Sequence, residues 1–161
     1  MSCGEPVSLE ELLVRTDGMP SFQAEKIAAA IYEEYVTGTP MTHDGQRVWF
    51  FSNRFQHAFR RDNSCSGGEK NEIDFNRVQR ARWIGEVIGG NVAGTVCRLV
   101  PNDGNPEMGS SRLYMVEPEC YVIWLLPRTD GTWTFSTAFK AFGYQMKKYR
   151  QLGDEIWRRK K

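Results

Sequence analysis

Residues 121–139 read YVIWLLPRTDGTWTFSTAF, and this stretch decides the fold. Apolar, β-favouring runs at 120–126 and 132–139 flank Thr129-Asp-Gly131. An Asp-Gly pair between two such runs marks a hairpin turn, because its backbone twist matches that of the flanking strands. In the second run, period-two alternation places Trp133, Phe135, Thr137 and Phe139 on one face and Thr134 and Ser136 on the other.

Working upstream, residues 112–116 and 95–100 give two more strands, joined by a Pro/Asn/Gly loop that ends near Ser110. Four closely spaced strands predict an antiparallel sheet. Before them, Asp74 caps a helix expected over 75–88, whose apolar stripe is Val78, Ala81, Ile84, Val87 and Ile88. Arg77 and Arg80 share another face of it at i, i+3, and Gly89-Gly90 closes it. Residues 47–51 (RVWFF) predict a short strand or extended run, 53–61 a helix, and the polar stretch 62–71 (DNSCSGGEKN) a surface loop. Downstream, 144–150 predicts a basic helix, broken at Gly153.

The first 46 residues read as an acidic helical hairpin. Ser8-Leu-Glu-Glu11 is a capping box that starts a short helix running to about Arg15. Ser21 is expected to cap a longer one, with Ile27, Ala30, Ile31 and Tyr35 at helical spacing and Gly38 and Pro40 as the stop. The expected organisation is therefore α+β: a hairpin extension over 1–46, then a domain over 47–161 in which helices precede the four-stranded antiparallel sheet.

Charge follows the same boundary. Residues 1–46 hold two basic and eight acidic groups, −6; residues 47–161 hold 19 basic and 12 acidic, +7, which gives the net +1. A basic body favours a polyanionic partner through counterion release. The acidic hairpin either competes with that partner or merely covers part of the fold, and its apolar stripe says only that it docks. Cys3, Cys65, Cys97 and Cys120 are scattered without a CxxC pair, and only two histidines occur, His43 and His57. That excludes the clustered ligands of a structural zinc site and suggests reduced thiols. No metal or other cofactor is expected. With no run of 18 apolar residues and no basic-then-apolar leader, the expectation is a cytoplasmic protein with no membrane partner.

Chemistry can be carried by few residues. His57 lies in Arg54-Phe-Gln-His-Ala-Phe-Arg-Arg61, and an unperturbed imidazole can give and take protons near neutral pH; it is either packed on a helix face or set among cations for proton transfer. Arg54, Arg61, Arg77 and Arg80 offer planar donors that match phosphate oxygens, or else line a solvated helix face. Ser136 and Thr137 offer hydroxyls, Tyr121 a ring for a base, and Lys140 a further cation.

Arg54-Phe-x-His57-Ala, then Arg77-x-x-Arg80-Ala-x-Trp83-Ile84-x-x-Val87-Ile88, then Tyr121-Val-Ile-Trp-Leu-Leu126 with Arg128-x-Asp130-Gly131-x-Trp133-x-Phe135-Ser136-Thr137-Ala138-Phe139 resemble the phage-associated branch of the barnase–EndoU–colicin–RelE nuclease superfamily. The resemblance covers residues 47–150. It implies a toxin- or phage-type RNase fold and metal-independent cleavage of RNA, tRNA among the candidate substrates, with a cognate inhibitor as a second kind of partner. It also implies that His57, Arg80 and Thr137 meet in one cleft, with Ser136 as the alternative hydroxyl. In that scheme the 2′-hydroxyl attacks with His57 as general base or acid, Arg80 with Arg54 or Arg77 neutralises the phosphorane, and a cyclic phosphate is left. Tyr121 or Lys140 is the candidate second proton-transfer group. The alternative is an inactive RNA- or protein-binding module on the same fold, such as a phage accessory or anti-defence protein.

Overall fold

A computed structural model describes residues 5–61, 72–102, 104, 105, 107 and 109–159, the Arg61 side chain excepted. The expected loop at 62–71, Cys3 and Cys65 lie outside the described residues. The hairpin between the strands β6 (Tyr121–Pro127) and β7 (Trp133–Lys140) is as expected. Gly131 takes φ +86°, Arg128 donates to the Thr132 carbonyl at 2.9 Å, and Gly131 donates back to Arg128 at 3.2 Å. Upstream come β4 (Thr95–Pro101) and β5 (Ser110–Val116), so that β4 to β7 form an antiparallel meander.

The sheet is larger than expected and mixed. It has six strands in the order β1-β7-β6-β5-β4-β8, because β1 (Val48–Trp49) runs parallel to β7 and β8 (Asp154–Arg158) runs antiparallel to β4. The four-stranded antiparallel expectation therefore holds for the meander alone. Both added strands lie at edges, where one side of the strand is unpaired. Four of the five residues of β8 are solvent-exposed, so it lacks the alternation by which a half-buried strand is recognised.

One further irregularity resets the last strand of the hairpin. Trp124 pairs with Thr137 but Leu125 with Phe135, so Ser136 is an extra residue, a β-bulge. The bulge shifts the phase of β7. Trp133, Phe135 and Ala138 enter the core on one side, whereas Phe139, and Thr137 opposite Trp124, turn to the other. Strict alternation had put Trp133 and Phe139 on one face.

Five helices cover one face of the sheet: α1 (Leu9–Leu12), α2 (Ser21–Gly38), α3 (Phe55–Phe59), α4 (Phe75–Gln79) and α5 (Trp83–Ile88). A two-stranded ribbon, β2 (Arg60–Arg61) with β3 (Glu72–Ile73), joins α3 to α4. On the opposite face α6 (Gly143–Tyr149) places Met146 against Leu113, Met115 and Val122. The hairpin helices share the main core: Ala24, Ala28, Ile31 and Tyr32 are buried with Phe135 and Ile123, although Ala30, expected in the stripe, is exposed. Ser8 caps α1, its hydroxyl accepting from the Glu11 amide at 3.4 Å. The residue that caps α2 is Pro20, and Ser21 is its first helical residue.

The helix expected over 75–88 starts where predicted, Asp74 accepting from the amides of Asn76 and Arg77. It then breaks at 80–82. The Tyr35 hydroxyl lies in the break, donating to the Ala81 carbonyl at 2.8 Å and accepting from the Gly85 amide at 3.1 Å. Those are the two groups that an unbroken helix would join directly, and an inserted polar group is a recognised cause of a kink. Gly85 is what leaves room for the ring: a Cβ there would lie 2.9 Å from Tyr35 Cε1. The stripe still reaches the core, with Val78, Ala81, Ile84, Val87 and Ile88 all buried beside Ile123 and Leu125. Full burial of a Val or Ile side chain stabilises by roughly 1.5–3 kcal/mol.

Candidate functional site

Beyond Thr134, β7 has no strand on its outer side, since β1 pairs only with Trp133 and Thr134. An uncovered strand edge offers bare carbonyls and amides, which a fold must satisfy. Two arginines meet this edge. Arg54, in the 3-10 turn before α3, donates through Nη2 to the Ser136 carbonyl at 3.1 Å and approaches Ser136 Oγ at 3.5 Å. Arg77 comes from α4 and reaches around the edge. Its Nη1 lies 3.4 Å from Thr137 Oγ1, 3.3 Å from the His57 carbonyl and 3.2 Å from the Ala58 carbonyl, and the guanidinium stands 5.4 Å from the Phe139 ring centre.

Arg77 is well enclosed, its side chain 17% exposed, with Asp74 Oδ2 3.5 Å from Nε. Burial lowers the pKa of its guanidinium and the Asp74 charge opposes that shift. Beside it opens a groove of about 600 Å³, lined by Asp74, Asn76, Arg77, Phe139, Lys140, Phe142 and Gln145. Lys140 is exposed there.

Of the residues expected to form one cleft, Arg54, Arg77, Ser136, Thr137 and the α3 segment carrying His57 do converge. The His57 side chain is exposed, and its backbone carbonyl is tied to the same Arg77 nitrogen as Thr137. Arg80 is not brought in. The break after α4 turns it back, so that Nη1 donates to the Asn76 carbonyl at 3.1 Å and the guanidinium stands 5.0 Å from the Trp83 ring. Arg77 occupies the place expected for Arg80. Tyr121 is 2% exposed, edge-to-face with Trp83, and its hydroxyl is pushed far above its ordinary pKa by burial. It presents no face to a base and no titratable proton at neutral pH. The Arg61 side chain lies outside the described residues.

A second polar cluster, unforeseen in the sequence, ties the loop before β1 to the far half of the sheet. Arg112, 6% exposed, makes a two-pronged pair with Asp44 at 2.8 and 2.7 Å and packs 4.8 Å from the centre of Trp133. His43 Nδ1 lies 2.7 Å from the Tyr114 hydroxyl, and its ring stacks on Trp157 of β8 at 4.1 Å. The bonds from Arg112 hold the Asp44 carboxyl well below the usual carboxylate range. Burial lowers the His43 pKa, opposed by Asp44 and reinforced by Arg112. Burial also pushes the neighbouring Cys97 thiol up to about 11, which keeps it a protonated core residue. The one sequence signal for this cluster is Arg112 at the start of a predicted strand, since an arginine that enters a core needs a counter-charge.

Among the described residues, Cys97 and Cys120 are free thiols, no group of His, Cys, Asp and Glu is placed to hold a metal ion, and no helix is long and apolar enough to cross a membrane. Comparison with known proteins finds no matching family model, no similar curated protein and no similar solved structure.

Proposed function

We propose that the chain is a metal-independent endoribonuclease acting along the outer edge of β7. The observation that carries this is the convergence of Arg54, Arg77, Ser136 and Thr137 with the α3 segment bearing His57, residues separated by up to half the chain and gathered next to a groove that presents Lys140. In the proposed reaction His57 takes the proton of a 2′-hydroxyl as that oxygen attacks the adjacent phosphorus. The P–O5′ bond breaks, the 5′-oxygen leaves with a proton, and a 2′,3′-cyclic phosphate remains. Proton transfer of this kind contributes about 10² to 10⁴ in rate. Arg77 neutralises the charge of the phosphorane and Thr137 orients a phosphate oxygen. Lys140 is the remaining candidate for the second proton transfer, Tyr121 being buried. DNA lacks the attacking hydroxyl and is not cut.

The test is incubation of the purified chain with total RNA in EDTA, followed by end-group analysis. Wild-type protein is expected to leave cyclic phosphate ends, and His57→Ala to lose about 10²-fold or more in rate with an unchanged circular dichroism spectrum. Full activity of His57→Ala, or loss of activity on chelation, rejects the mechanism. A specific observation favours a second reading, that of an RNA-binding module without cleavage: Arg54 and Arg77 already bond carbonyls of their own chain, and Arg80 stands over Trp83. RNA retained on a filter but left intact selects that reading.

A further inference from the structure

Phe142, which lines the groove just before α6, and Tyr144 in the first turn of that helix are 67% and 73% exposed. Their rings are parallel within 8°, with centres 5.8 Å apart. No part of the core needs them: Met146 alone of α6 is fully buried, against Leu113, Met115 and Val122. Single exposed apolar residues are ordinary, but two near-parallel, offset rings exposed to solvent beside a polar groove form a surface of defined shape. Cations surround it. Lys140 and Arg77 line the groove on one side. Exposed Lys147 and Lys148 follow Tyr144 at i+3 and i+4, the positions that neighbour it on a helix surface. The one carboxylate in the groove, Asp74, is engaged with its own helix amides and with Arg77 Nε.

We propose that Phe142 and Tyr144 are a base-stacking platform for single-stranded RNA, with Lys140 and the groove taking the phosphate between stacked nucleotides. Parallel rings suit nucleobases, every one of which has a π face, and the surrounding lysines suit the backbone. A duplex keeps its bases stacked inside and offers the rings nothing, so the surface selects unpaired strands. This rests on RNA being the ligand, and it does not rest on cleavage.

The test uses the full chain and a short 2′-O-methylated oligouridine, which lacks the attacking hydroxyl, with fluorescence anisotropy as the readout. Phe142→Ala and Tyr144→Ala are each expected to weaken binding by about 5- to 150-fold, the effect of losing one stacked base. Phe142→Trp and Tyr144→Phe retain binding. A duplex of equal length binds more weakly, and neither alanine substitution changes its affinity. Both side chains lie outside the core, so unchanged thermal unfolding separates a lost platform from a lost fold. Wild-type affinity in the double alanine variant, alongside a loss in Lys140→Ala, overturns the platform while leaving RNA as the ligand. Absence of any binding by the wild-type chain at low salt overturns the RNA reading itself. Self-association lost in the double variant, with no RNA binding, makes the pair a protein contact instead.

Discussion

Replacing Tyr35 by Phe removes one oxygen atom, and the structure gives that oxygen two backbone bonds, to the Ala81 carbonyl and from the Gly85 amide. The ring keeps its stack on Phe50, 4.9 Å between centres, so packing is conserved. Burial pushes the hydroxyl up to about 12, so at neutral pH it is a neutral donor and acceptor. A hydrogen bond nets roughly 0.5–1.5 kcal/mol, which puts the loss of two at about 1–3 kcal/mol, less whatever Ala81 and Gly85 recover by bonding each other. For a chain of this size each kcal/mol lowers Tm by about 2–4 °C, so Tyr35→Phe should melt roughly 2–12 °C below wild type. Thermal unfolding followed by circular dichroism measures this directly. The bend also sets the direction of α4, which carries Arg77 to β7, so if the proposed function holds, RNA affinity should fall in the same variant. A Tm indistinguishable from wild type, with RNA affinity unchanged, would refute the view that this hydroxyl holds the break.

Two other expectations concern the polar cluster and the β4–β8 edge. Asp44 and His43 both have folded-state pKa values below their unfolded values, so each contributes stability that is present above the unfolded pKa and lost as pH falls. The urea midpoint should therefore decline first below about pH 6.5, through His43, and again below about pH 4, through Asp44; a midpoint flat from pH 7 to 5 in wild type excludes the His43 contribution. Gly153 takes φ +54°, and a Cβ there would sit 1.9 Å from the Leu99 carbonyl oxygen, so Gly153→Ala must shift backbone. With about 1–2 kcal/mol for the left-handed conformation and the clash added, it should destabilise by more than ~2 kcal/mol in urea unfolding; a smaller loss would mean that β8 adapts freely.

What the sequence made legible is what short-range chemistry determines. Ser8 and Asp74 cap their helices because a side-chain oxygen two or three residues from a free amide suffices. The meander is legible because each strand pairs with the next. The missed features all depend on distant partners. The helix over 75–88 breaks because of a hydroxyl about 50 residues upstream, and that break decides that Arg77, not Arg80, reaches Thr137. The pair looked equivalent at i, i+3 only while the helix was assumed continuous. Likewise the Ser136 bulge, which turns Thr137 away from the face of Phe135, is set by register against β6 and has no composition signal. Arg54, Ser136 and Thr137 could be singled out by residue chemistry, whereas the Asp44–Arg112 pair needed the fold.

The sheet order has a consequence for how the chain assembles. Strands β4 to β7 can zip together from neighbouring segments, whereas β1 precedes β7 by about half the chain and β8 must return past three strands to reach β4. Closing such loops costs entropy before any contact forms, so pairings distant in sequence come late. The meander is thus a scaffold made first, and its two flanks are added from segments before and after it. Those flanks meet where the His43 ring, in the loop before β1, lies flat on Trp157 of β8. That stack is expected to close late, and stopped-flow refolding of a variant that keeps Trp157 as its one tryptophan would report when it does.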